Sequence, residues 1–84
     1  MKEIKVEWCK DYIRSRFSKK HHPFWDKPDA GIECNLFFRM ATAAGLYEPN
    51  TYGSPMSEAL EELCKVVHIT DEDGIYYYSV FRLK

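Results

Sequence analysis

Apolar residues near the start of the chain recur every three or four positions. Cys9, Ile13 and Phe17 make one row, and Ile4, Trp8 and Tyr12 a second row beside it. This spacing predicts an amphipathic helix over about 3–17, with Glu7/Lys10 and Asp11/Arg14 as charge pairs on its wet side. Ile4, Val6 and Trp8 also alternate, so 3–7 reads equally as a short strand entering the helix. Positions 18–28 form a connector broken by Pro23 and Pro28. A second helix is expected over about 30–44, with Asp29 as N-cap, a stripe of Ile32, Leu36, Phe37, Met40, Ala41 and Ala44, and Gly45 as its left-handed stop.

Positions 46–53 read as a loop holding Pro49, Asn50 and Gly53. The third helix, about 55–66, has the sharpest start: Ser54 is its cap and Pro55 its first residue, where a missing N–H costs nothing. Met56, Ala59, Leu60, Leu63, Cys64 and Val67 share one face, while Ser57, Glu58, Glu61, Glu62 and Lys65 share the other. The end of the chain reads as a hairpin over about 67–83, turning at Asp71, Glu72, Asp73 and Gly74. The expected fold class is α+β, one domain over 1–84 with three helices followed by a C-terminal β-hairpin.

Composition narrows the class. Eighty-four residues suffice for one core, and the 15% aromatic content argues against disorder. No apolar run approaches the roughly 18 residues of a membrane span, and no signal-peptide pattern follows the start, so a cytoplasmic location is expected. Cys9, Cys34 and Cys64 are odd in number and widely spaced, and each falls on a helical apolar stripe. They read as reduced core residues. The net charge of −1 conceals an asymmetry: positions 1–28 hold eight Lys/Arg against four Asp/Glu, and positions 29–84 hold four against nine. Attraction to an anionic partner must therefore come from the first third.

Three helices, the last running into a hairpin, make an order that resembles the winged helix-turn-helix family. The resemblance is one of architecture and covers nearly the whole chain. It implies a third helix that enters the DNA major groove and a hairpin wing that touches the backbone. Mapped here, the reading helix presents Ser57, Glu58, Glu61, Glu62 and Lys65, and the wing tip is 71–74. Carboxylates at these positions repel phosphate, and the connector before the third helix is longer than the family's usual turn. The resemblance thus extends to the fold and not to the family's docking mode.

Nucleic-acid contact, if made, falls instead to the basic, aromatic stretch. Lys10, Arg14, Arg16, Lys19, Lys20, His21, His22 and Lys27 supply cations beside the stackable rings of Phe24 and Trp25. The plainer reading is a solvated helix face and a connector whose rings pack into the core. The hairpin carries a second candidate. Ile75, Tyr77 and Phe81 are expected on one face and Tyr76, Tyr78 and Val80 on the other, so one apolar row is left for a protein partner, a second copy or the connector. Phe24, Trp25, Tyr76 and Tyr78 are the partner-interface candidates. Cys64 and His68, four apart, are a weak metal pair, since structural sites usually show two close ligand pairs. No metal, cofactor, small-molecule substrate or membrane partner is expected. With its cysteines on apolar stripes and no phosphate loop or metalloprotease motif, the chain reads as a binding module and not an enzyme. Its partners are nucleic acid through the basic third, or a protein or second copy through the Tyr-rich hairpin and acidic third helix.

Overall fold

A computed structural model describes residues 3–27, 30–49 and 53–84. Along the chain they form α1 (Val6–Arg16), β1 (Ile32–Glu33), α2 (Cys34–Ala43), α3 (Pro55–Leu63), β2 (Cys64–Thr70) and β3 (Tyr76–Leu83). The class is mixed α+β, with an antiparallel sheet in the order β1-β3-β2. The helix-then-hairpin order needs correction, because β1 lies between α1 and α2. Residues 3–5 are neither helix nor strand, and α1 begins at Val6 with Lys5 at its cap position.

The second helix also starts later than the stripe implied. Ile32 leaves the helical row to pair with Phe81, and Glu33 pairs with Val80. The edge of β3 offers Ile32 ladder hydrogen bonds that the open start of a helix cannot supply. Glu33 then caps α2, its Oε2 accepting the Leu36 N–H at 2.6 Å. Asp29, the expected cap, lies outside the described residues. At the other end Gly45 adopts φ 75°, and Leu46 and Gly45 donate to the Ala41 and Thr42 carbonyls, the paired bonds of a Schellman stop.

Ser54 caps α3 as expected, its Oγ accepting the Ser57 N–H at 3.2 Å with Pro55 leading the helix. The helix ends at Leu63, three residues early. Val66, Val67, Ile69 and Thr70 are β-branched and favour the pleated surface, so Cys64–Thr70 is strand. Cys64 is accordingly a strand residue rather than a helical one.

The core lies between the helices and one sheet face. Cys9, Ile13 and Phe17 of the α1 row meet Phe37 and Ala41 of α2, Met56, Ala59 and Leu60 of α3, and Phe81. Phe37 is fully buried among three rings, with Tyr12, Phe17 and Phe81 centroids 5.6–6.4 Å away. The second α1 row is only partly used: Tyr12 packs inward, whereas Trp8 is exposed with Lys5 over its ring. Among the described residues, no helix is long and apolar enough to cross a membrane.

The expected alternation along β3 fails at one point. Ile69 pairs with Tyr78 but Thr70 pairs with Tyr76, so Tyr77 is the extra residue of a bulge. Adjacent β2 residues face opposite ways, which puts Tyr76 and Tyr78 on opposite faces. Tyr76 joins the Phe81 face, where its hydroxyl lies 3.0 Å from Ser79 Oγ, itself 2.9 Å from His68 Nδ1. Ile75, Tyr76, Tyr77 and Tyr78 are all exposed, because this end of the hairpin extends past the helices of a molecule 46 Å long and 21 Å thin. Helices therefore do not cover Ile75 and Tyr77, contrary to the expectation from alternation.

Candidate nucleic-acid interface

The cations expected to act together divide into two groups. Those on α1 are occupied. Lys10 Nζ sits 2.7 Å from Glu62 of α3, in place of the expected Glu7 pairing. Arg14 pairs with Asp11 at 3.4 Å, and the Arg16 guanidinium lies over the Tyr12 ring. The Lys10 contact holds the Glu62 carboxyl below its usual range, chiefly through the hydrogen bond and then through charge. Of the three, only Lys10 ties α1 to another element, while Arg14 and Arg16 have partners on α1 itself and Arg14 stays exposed.

Lys19, Lys20, His21, His22, Phe24, Trp25 and Lys27 form the other group. The connector folds as successive turns, with His21 and His22 amides on the Ser18 carbonyl, Trp25 on His22, and Lys27 on Phe24. Trp25 packs on Phe17 at 5.1 Å, and His22 stacks on Trp25 at 4.4 Å between centroids. His22 Nδ1 accepts the Phe24 N–H, which holds the Phe24 ring out in solvent, and Lys27 Nζ lies 4.5 Å from that ring's centre. Lys19, Lys20 and His21 are exposed on the preceding turn. Among the described residues, no ion pair engages Lys19 or Lys20.

Two residues missed by sequence reasoning hold this surface in place. Arg82 of β3 donates from its guanidinium to the Lys27 and Asp26 carbonyls. Gly31 lets the returning chain touch the sheet: a methyl there would lie 2.6 Å from Val80 Cγ2 and 2.9 Å from the Phe81 carbonyl oxygen. Arg82 was findable in principle, since it shares parity with Val80 on the face away from Phe81. The connector thus covers the Val80 and Arg82 end of that face and leaves Tyr78 bare. A cleft of about 310 Å³ opens among His22, Phe24, Trp25, Lys27, Ala30 and Gly31. Rings and cations on a pinned loop suit a flat aromatic base next to a phosphate.

Tyr76 and Tyr78 lie on opposite faces of the hairpin, and neither lines the cleft of Phe24 and Trp25. Cys64 and His68 lie four residues apart along a strand, about 13 Å, too far to share a metal ion. Among the described residues, no three His, Cys, Asp or Glu side chains converge on a metal-sized site.

Burial pushes the Cys64 thiol up to about 11, an effect Lys84 partly opposes, and raises Cys9 and Cys34 in the same direction. Native protein should show slow thiol labelling at Cys9 and Cys64, faster labelling at half-buried Cys34, and all three groups should react in denaturant. The raised thiol also sets a pH dependence. Between about 9 and 11 the unfolded chain has lost the Cys64 proton while the folded chain keeps it, so stability falls as pH rises. The slope expected from this group is up to about 1.4 kcal/mol per pH unit. Urea unfolding of wild type and Cys64→Ala across this window should show the stability gap closing; a constant gap would refute the assignment.

Comparison with family models, curated proteins and solved structures gives no match.

Proposed function

We propose that this chain is a winged-helix-like binding module, not an enzyme, that contacts single-stranded nucleic acid through its connector and not through α3. The architectural part is supported by α3 running directly into β2 and by a hairpin that extends past the helices. Strand β1 pairs on the far edge of β3 and leaves the β2–β3 hairpin intact. The observation that carries the binding mode is the contrast between two surfaces. On α3 the exposed groups are Ser57, Glu58, Glu61 and Glu62, and the hairpin tip carries Glu72 and Asp73, which repel a duplex backbone. The connector presents exposed Lys19 and Lys20 and sets Lys27 over the exposed Phe24 ring.

The test is fluorescence anisotropy with an oligothymidylate of about 12 nucleotides, a length within the range of small single-strand sites. Replacing Lys19, Lys20 and Lys27 with Ala should weaken binding about tenfold or more and flatten the salt slope by about 2, at roughly 0.7 per phosphate contact. Phe24→Ala should weaken binding with little change in that slope, because stacking releases no counterions. Glu58→Ala and Glu61→Ala should weaken nothing. Undiminished binding by the triple variant, or no binding by wild type at low salt, sinks the proposal.

The second reading, a protein-interaction module, is favoured by the exposed Ile75, Tyr76, Tyr77 and Tyr78. On that reading the Tyr76→Ser, Tyr78→Ser pair lowers self-association or partner capture with little change in thermal midpoint.

A further inference from the structure

Strand β2 is an outer strand of the sheet and, among the described residues, is hydrogen-bonded to β3 on one side alone. Its other side presents unpaired backbone N–H and C=O groups, a template for an added strand. Beside this edge lies a groove of about 350 Å³ whose apolar walls include Phe38 of α2, Leu60 of α3, Val66 of β2 and Phe81 of β3, with Glu61 and Lys84 as its charged residues. Val66 is half exposed, although its cross-strand partner Phe81 is buried. Lys65, the residue that guards the edge against indiscriminate pairing, shares a face with Arg82 and leaves the groove face open.

Charge decides which strand fits. At one end of β2 stand Glu58, Glu61 and Glu62 of α3, offset by Lys84 near Glu61 and by Lys10 on Glu62. At the other end stand Glu72 and Asp73, both exposed. A second copy paired antiparallel about Val67 would set each acidic tip beside the acidic end of the other α3. Like charges so placed disfavour that assembly.

We propose that the β2 edge is a docking site for an extended segment of another protein, apolar at its centre and cationic at both ends. The added strand pairs with β2 through its backbone. Every second side chain falls on the groove side, where an apolar one sits against Val66 and Leu60. Its terminal cations face Glu61 at one end and Glu72 and Asp73 at the other. This inference is independent of the connector and stands or falls without it.

The probe is a synthetic peptide of alternating valine and threonine, about seven residues long to match a typical strand, with lysine at each end. The control has glutamate at the ends. Amide spectra and hydrogen exchange of the full chain with the lysine-ended peptide should show added protection within 65–70, and shifts there and at the contacts Leu60, Glu61, Glu72 and Asp73. Val66→Lys, at an exposed position, and the Glu72→Lys, Asp73→Lys pair should each weaken binding tenfold or more, while the glutamate-ended peptide binds at least tenfold more weakly than the lysine-ended one. The proposal is overturned if no binding occurs at roughly millimolar peptide, if both peptides bind equally, or if the shifts map elsewhere. It is equally overturned if the free protein sediments as a dimer that Val66→Lys dissociates, since the edge is then taken by a second copy.

Discussion

Phe37→Ala is expected to lower the unfolding free energy by about 3–5 kcal/mol, the range for a large aromatic removed from a closed core. Phe37 has no exposed surface and touches rings from α1 and β3, so its loss loosens α2 from both at once. A chain of this size has a total stability of roughly 4–13 kcal/mol, so the variant should lose a large fraction of it. Urea titration followed by circular dichroism should show a fall in midpoint at unchanged m-value. The exposed Phe24→Ala serves as the comparison and should move stability by no more than about 0.5 kcal/mol. A loss below 1 kcal/mol for Phe37→Ala would mean that the three-ring packing is misplaced.

Gly31→Ala is expected to cost about 1–3 kcal/mol, as overpacking does when the neighbours cannot yield. The obstacles are a β-branched side chain with few rotamers and a backbone carbonyl at 2.9 Å. Relief requires the chain at 30–33 to lift away from β3, which weakens β1 pairing and shifts the connector that Arg82 holds. The same substitution should therefore weaken oligothymidylate binding although it removes no cation. Adding Val80→Ala should restore part of the stability, because the closest conflict is with Val80 Cγ2. The Phe81 carbonyl conflict remains, so restoration stays incomplete, and a double-mutant cycle measures the coupling.

Features legible in the sequence were those whose causes lie within a few residues. The Ser54 cap with Pro55, the Gly45 stop and the turn at 71–74 depend on local backbone chemistry, and each stands where that chemistry placed it. The buried row Cys9, Ile13 and Phe17 followed from helical period alone. The connector's cations and rings were also visible, because residue types can be read directly.

What the tertiary structure decided depends on partners distant in sequence. Ile32 satisfied a helical stripe and a strand equally, and only the free edge of β3, some fifty positions later, chose the strand. Lys10 had Glu7 within reach on its own helix, but packing of α1 on α3 brought Glu62 to it. The bulge at Tyr77 sent Tyr76 and Tyr78 to opposite faces, because register between strands is fixed across the turn and not along one strand. Arg82 became part of the connector surface through carbonyls 55 and 56 residues away. Local propensity chooses among conformations that are nearly equal in energy, so pairing and burial, which act between distant segments, settle the cases that propensity leaves balanced.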